Sequence, residues 1–559
     1  MKKKLLATAS TLLGLLFIAS VPTTVLSTRA VPTTYSVYVA APENGSGLML
    51  EPTLVLEPDS FNEITEAKAS EKKAASVILT PDADMNVELG GETKTLKNAF
   101  DTYLKGTFIP MVRVDSTTVT HFIDWMNNTY TVSDMMVISK DIEAIEKLYA
   151  DSTTYLVNTV YDLTDVTIGT DRYEQWTNIG AANKAGCNIL LYSVQPNLPV
   201  AAEYVEAMAK VCWAVADSKE EAVEAMAAGC YGVVSSELSN MTEALGYFEK
   251  DGFARAQYIA AHRGITAYCN EQSKTAIAAS ANEGATHIEL DLQVTADEQI
   301  LICHNNTTGS FANGNLKFVD TTAERIRQLT LQDYTKKYGD TFPTLEEAFD
   351  LLLDTDVIFI LELKLDGGST RAVDELKAIE NLKRIIDKYP KMQGRIITIA
   401  FYAPYAEKMK EVLPEIPCGF LGGAKAGKET DQGVAAWGGG SANKSNVANF
   451  MRTILRKYNV SIDDMTFDNG RPDSDPQQVS AVTNQKSADY LARGYAQNTW
   501  TFQDLRHYSI KCNIATTNGA EKCAMVVKNI GVPASLTEAQ LTAKKATVPC
   551  VTYNGWKVD

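Results

Sequence analysis

Four apolar runs between residues 258 and 364 each deliver side chains that can do chemistry. Tyr258-Ile259-Ala260-Ala261 leads into His262-Arg263-Gly264, and Gln299-Ile300-Leu301-Ile302-Cys303 leads into His304. His287-Ile288-Glu289-Leu290-Asp291-Leu292 carries two carboxylates two residues apart, which an extended strand aims to one side. Ile358-Phe359-Ile360-Leu361-Glu362-Leu363-Lys364 adds a third carboxylate and an amine at the same spacing. Acids in the middle of apolar runs are costly to bury unless a cation compensates them. Glu289, Asp291 and Glu362 therefore read as ligands of a hard divalent cation, Ca²⁺ or Mg²⁺. Arg263 offers bidentate contact to phosphate oxygens and Lys364 a point charge. His262 and His304 suit proton transfer near neutral pH, so the set reads as machinery for breaking a P–O bond in a phosphodiester.

Each residue alone has a plainer explanation: His304 as a strand terminator, Glu362 with Lys364 as an ion pair, Arg263 as a surface charge. Their concentration argues otherwise. Only five histidines occur in 559 residues, and two of them close strands in the unit that supplies all three acids.

Short apolar strands alternating with amphipathic helices predict parallel sheets with covered faces, and strand ends are where such folds build sites. The alternation runs from about Ala74 to Ser239 and restarts near Ala256, which predicts two α/β units. The halves also resemble each other. Thr95-Leu96-Lys97-Asn98-Ala99-Phe100-Asp101 matches Thr344-Leu345-Glu346-Glu347-Ala348-Phe349-Asp350, and Trp213-Ala214-Val215-Ala216-Asp217 mirrors Trp500-Thr501-Phe502-Gln503-Asp504. Arg113 and Asp115 then stand where Glu362 and Lys364 do. The N-terminal unit, over 74–250, reads as a partial or degenerate copy with no metal site. Residues 31–73, rich in Thr, Pro, Glu and Ser, read as a linker with edge strands, and 536–559 as an appendage.

A net charge of −17 argues against a nucleic-acid partner. Met1 to Lys4, followed by apolar residues from Leu5, reads as a signal peptide over 1–30 or as an uncleaved membrane anchor. Either reading puts the body outside the cell. The nine cysteines lie mostly in apolar runs and read as packing, with one disulfide among Cys512, Cys523 and Cys550 as an option.

The run from His262-Arg263-Gly264 through Glu271, Glu289-Leu290-Asp291 and His304 resembles the glycerophosphodiester phosphodiesterase family. Phe342-Pro343-Thr344-Leu345-Glu346-Glu347, Glu362-Leu363-Lys364 and Trp500-Thr501 continue the likeness over about 256–535. The resemblance implies a TIM (β/α)8 barrel and a divalent cation on Glu289, Asp291 and Glu362, with His262 and His304 as general acid and base. It implies substrate contacts from Arg263, Lys364, Glu271 and Trp500, and release of an alcohol and sn-glycerol 3-phosphate. The expected partner is a small glycerophosphodiester or a glycerol-phosphate polymer, with cell-wall or membrane-surface association assigned to the N-terminal half. Asn270-Glu271-Gln272, Asn305 and Thr516-Thr517-Asn518-Gly519 depart from the family pattern, and Gly422 to Asn446 forms a long insertion. Two other readings stay open: a phospholipase or lyase of the same superfamily that forms a cyclic phosphate, and a non-catalytic wall-binding protein.

Overall fold

The computed structural model describes residues 51–72, 74–130, 134–151, 156–246, 258–332, 340–364, 375–400, 403–421, 460–466, 490–502, 513–520, 551–553 and 556–558. The signal segment, Gly422 to Asn446, His507, Cys512, Cys523 and Cys550 lie outside the described residues.

Two parallel barrels follow one another along the chain. The first has β1 (Thr53–Leu56), β2 (Ser76–Leu79), a small antiparallel hairpin of β3 (Asn86–Leu89) and β4 (Glu92–Thr95), then β5 (Ile109–Arg113), β6 (Met135–Ser139), β7 (Leu156–Asp162), β8 (Ile189–Ser193), β9 (Val211–Val215) and β10 (Gly232–Ser235). Its ring order is β1-β10-β9-β8-β7-β6-β5-β2, and β1 pairs with both β10 and β2 to close it. The expected N-terminal barrel-like unit is thus present, and its sheet closes completely. The closing strand comes from Thr53–Leu56, inside the stretch read as linker, and Phe61–Ala69 there is a helix capped by Ser60. Four strand residues between Pro52 and Glu57 give too short a pattern to mark a buried barrel strand, although all four are buried.

The second barrel has β11 (Tyr258–His262), β12 (His287–Val294), β13 (Ile300–Ile302), β14 (Ile358–Leu363), β15 (Ile396–Ala400), β16 (Cys418–Leu421), β17 (Val460–Thr466), β18 (Ala496–Phe502) and β19 (Ile514–Thr517). β11 pairs in parallel with both β12 and β19, so eight parallel strands close this ring as well. β13 is no barrel strand: it runs antiparallel along the end of β12. Among the described residues, the terminal segment contributes a hairpin of β20 (Val551–Tyr553) and β21 (Trp556–Val558).

The internal likeness falls on equivalent elements. The Thr95 and Thr344 segments each cap the helix before the third barrel strand, and Trp213 and Trp500 both lie on the seventh, β9 and β18. Thr344 and Glu347 form a reciprocal capping box that fixes where that helix starts.

The barrels meet through the amino ends of their strands. His287 Nε2 lies 2.8 Å from Ala207 O, Tyr204 Oη donates to Gly394 O at 2.7 Å, and Asn183 Nδ2 donates to Ile416 O at 2.9 Å. Tyr231 Oη donates to Asn513 Oδ1 at 2.7 Å, and buried Arg493 pairs with Asp134 at 2.6 Å. His287 opens a strand, Asp134, Tyr231 and Asn513 immediately precede one, and Asn183, Tyr204 and Ala207 lie on the helices that lead into β8 and β9. Gly494 has φ +73, and a Cβ there would lie 2.1 Å from Ile189 Cδ1, so the close approach requires glycine. Two apolar clusters each contain residues from both barrels, so the seam is continuous core. Joining amino end to amino end turns the two carboxyl-end faces outward in opposite directions.

Candidate active site

Register brings the acids together. Asp291 pairs with Glu362 across β12 and β14, and His262 pairs with Glu289 across β11 and β12. Glu289, Asp291 and Glu362 are all buried, and each offers a carboxylate oxygen within 4.8 Å of the other two. Burial, with Asp291 and Glu362 adding negative charge, raises the Glu289 carboxyl well above its ordinary value. Glu362 is pushed up to about 7, first by burial and despite the favourable charge of Lys364. Lys364 Nζ bridges Asp291 at 2.9 Å and Glu362 at 2.8 Å, and these two carboxylates hold its amine above the usual value against the effect of burial. Three crowded, dehydrated carboxylates served by one amine fit a divalent cation, whose charge would favour their ionised forms. These three residues could therefore hold a metal ion, as expected from their spacing.

Arg263 and Gln272 border this cluster with left-handed backbones, φ 62 and 63, uncommon for residues with side chains. Gly264 follows at φ +82, where a Cβ would meet the Ala276 backbone at 2.8 Å. The turn is held by the Gln272 N–H donating to Arg263 O and by the Arg263 N–H donating to Glu289 O, both at 2.9 Å. Arg263 contacts Glu271 at 3.1 Å and Asp291 at 3.5 Å, while Gln272 Nε2 donates to Asp291 at 2.5 Å. Glu271 precedes the next helix, which Ser273 caps over Lys274–Asn282.

His262 Nε2 lies 3.8 Å from Glu289 Oε2, and its Nδ1 is 2.6 Å from Asn518 Oδ1. Burial, reinforced by the charge of Arg263, pushes the His262 pKa down to about 4. His304 follows β13, close enough for its charge to weigh on His262, with Nδ1 2.7 Å from Asn305 Oδ1. A cleft beside His304 is walled by Glu271, Phe311, Leu331 and Phe342. Trp500 sits on β18 between Thr466 and Thr516, its side chain outside the described residues. His262, Arg263, Glu271, Glu289, Asp291, Glu362 and Lys364 thus share one face, linked by direct contacts to one another. Gln272 and Asn518 belong beside them. Sequence flagged both only as departures from a pattern, without a task.

The N-terminal barrel permits a position-by-position contrast. Glu362 and Arg113 each stand eighteen residues after the capping threonine, Thr344 and Thr95. Registers then set Ile78 at the place of Glu289, Thr80 at that of Asp291 and Glu57 at that of His262. Arg113 binds Glu57 at 2.9 Å and Asp162 at 2.5 Å. A guanidinium on the chain thus pairs with both acids of this face. Among the described residues, Glu289, Asp291 and Glu362 form the one metal-compatible group.

Residues 262–510 match the Glycerophosphoryl diester phosphodiesterase family. A curated "Glycerophosphodiester phosphodiesterase" of Caldanaerobacter subterraneus is 29% identical over 168 residues, 29% of this chain and 65% of that protein. "Glycerophosphodiester phosphodiesterase 1" of Homo sapiens is 28% identical over 155 residues, 27% of this chain and 44% of that protein. The chain therefore spans less than two thirds of the length of either relative. Among solved structures, an Oleispira antarctica phosphodiesterase in complex with the product sn-glycerol-3-phosphate is 19% identical, with TM-score 0.37 over 48% of this chain and 96% of that one. The family match and the curated relatives support the phosphodiesterase class expected from the sequence.

Proposed function

We propose that the C-terminal barrel hydrolyses glycerophosphodiesters to an alcohol and sn-glycerol 3-phosphate. The observation that carries this reading is the buried carboxylate trio within 4.8 Å beside a histidine. Glu289, Asp291 and Glu362 would hold Ca²⁺ or Mg²⁺, which when bound supplies charge stabilisation to the phosphoryl oxygens. Arg263 and Lys364 orient the phosphate from the side of Asp291, and Glu271 fixes the Arg263 guanidinium. His262, unprotonated at neutral pH, takes the proton of the attacking water, and His304 protonates the departing alkoxide. The cleft walled by Phe311, Leu331 and Phe342 beside His304 receives the alcohol, and Trp500 contributes a further substrate contact. The N-terminal barrel, whose carboxyl-end face points away from the site, would serve attachment to a wall or membrane surface, and the apolar N-terminal segment would direct export. No helix among the described residues is long and apolar enough to cross a membrane.

Release of sn-glycerol 3-phosphate from glycerophosphocholine, with and without EDTA, tests this proposal. Activity should vanish with the chelator and return with Mg²⁺ or Ca²⁺; undiminished activity in EDTA would refute the cation's part. Phosphorus NMR should show a monoester product, and accumulation of a cyclic phosphate would replace hydrolysis by the lyase reading.

A further inference from the structure

We infer that Asn518 is the positioning residue that fixes His262 in its Nδ1–H tautomer and aims Nε2 at the carboxylate cluster. The inference rests on the role given to His262 under the proposed function and adds how its ring is held.

β11 and β19 are parallel neighbours, with Ala261 opposite Thr517, so the next residues, His262 and Asn518, leave the barrel rim side by side. The rim is fixed on both sides of that pair. Gly519 N–H donates to Thr517 Oγ1 at 2.9 Å, and Thr266 Oγ1 reaches Asn518 O at 3.5 Å, tying the β19 turn to the loop after His262. The Asn518 amide oxygen lies 2.6 Å from His262 Nδ1. A carboxamide oxygen has lone pairs and no hydrogen, so this contact is a hydrogen bond only when Nδ1 carries the proton. In the neutral ring the basic lone pair is then on Nε2, the atom 3.8 Å from Glu289 Oε2. His304 has the same arrangement, Nδ1 2.7 Å from Asn305 Oδ1, so both rings present Nε2 while an amide holds the other nitrogen. With the amide reversed, its NH₂ would donate to Nδ1, put the ring proton on Nε2 and leave no base facing the cluster.

Three variants of the full chain, saturated with Mg²⁺ and assayed on glycerophosphocholine, test this. Asn518→Leu keeps the bulk and removes the acceptor; kcat should fall about 10²-fold, toward the loss of a general base, with KM within about twofold. Asn518→Asp can only accept, so it should retain kcat to within about tenfold. Full kcat in Asn518→Leu overturns the inference, and so does an Asp variant as slow as the Leu variant, which is the result for the reversed amide. Nitrogen-15 NMR of the ring gives a reading independent of turnover, with five histidines to resolve. A proton on Nδ1 of His262 is expected, and a proton on Nε2 overturns the assignment. His262→Ala, the third variant, should be nearly inactive; retained activity there removes the catalytic role of His262 itself, whatever its tautomer.

Discussion

The two barrels share strand order and, over their first three strands, register, yet their outward faces solve one electrostatic problem in opposite ways. At the place where the C-terminal barrel has Glu362 beside Glu289 and Asp291, the N-terminal barrel has Arg113 between Glu57 and Asp162. One face concentrates negative charge that a mobile cation can satisfy. The other carries its cation on the chain, so its acids are already paired. Chemistry needs an exchangeable, incompletely satisfied centre; a closed ion-pair network confers only structure. The contrast teaches that a handful of register positions, Ile78 for Glu289, Thr80 for Asp291, Glu57 for His262 and Arg113 for Glu362, separate a candidate catalytic centre from a structural one.

The largest effect should come from transplanting the difference. Glu362→Arg places the N-terminal solution in the C-terminal barrel, and hydrolysis of glycerophosphocholine should drop by at least about 10³-fold while the chain stays folded by circular dichroism. Substantial turnover would break the comparison. Asp134→Ala removes the carboxylate that pairs with the wholly buried Arg493 at the seam, and should cost roughly 3–5 kcal/mol in urea unfolding. Because the seam is shared, both barrels should lose stability together; separate transitions with only one shifted would show that they fold independently.

Arg113→Ala sharpens the contrast from the other side. It strands the buried Asp162 and should cost about 3 kcal/mol, the low end for a broken buried pair because Arg113 is 24% exposed, with metal-dependent activity unchanged at temperatures where the protein is folded. A comparable loss of activity would mean that the two faces communicate.

The smallest effect concerns pH. Glu289 and Glu362 are raised in the folded protein, Glu362 from 4.5 to about 7, so the metal-free fold holds protons that the unfolded chain releases. Its stability should therefore fall as pH rises through that interval. The cation competes with those protons, so the stability gain from added Mg²⁺ or Ca²⁺ should grow over the same window, approaching ~2.7 kcal/mol at a hundredfold excess over Kd. A gain independent of pH would place the cation elsewhere.

Sequence revealed the chemistry better than the architecture that carries it. Glu289 and Asp291 could be read because the period of a strand is local and two buried acids conflict with their apolar neighbours. The arginine at the equivalent of Glu362 was also visible, through the repeated Thr-Leu segment. Closure by Thr53–Leu56 was not legible, since its partners Gly232–Ser235 lie far along the chain and four residues carry little periodicity. β13 read as a strand but not as antiparallel, which depends on a short return along β12. The seam was illegible for the same reason: His287 and Asn513 look like ordinary strand starts until the other barrel is set against them. Asn518 could be seen to lack a carboxylate, but only adjacency of the first and last strands shows what its amide touches.

The most direct test of the central claim is a count of divalent ions. Titration with Mn²⁺, followed by electron paramagnetic resonance and by anomalous scattering from crystals, should find one tight ion per chain among Glu289, Asp291 and Glu362. That ion should disappear in Asp291→Asn and persist in Arg113→Ala. A chain that binds no ion there, or binds one at the Arg113 face, would contradict the account.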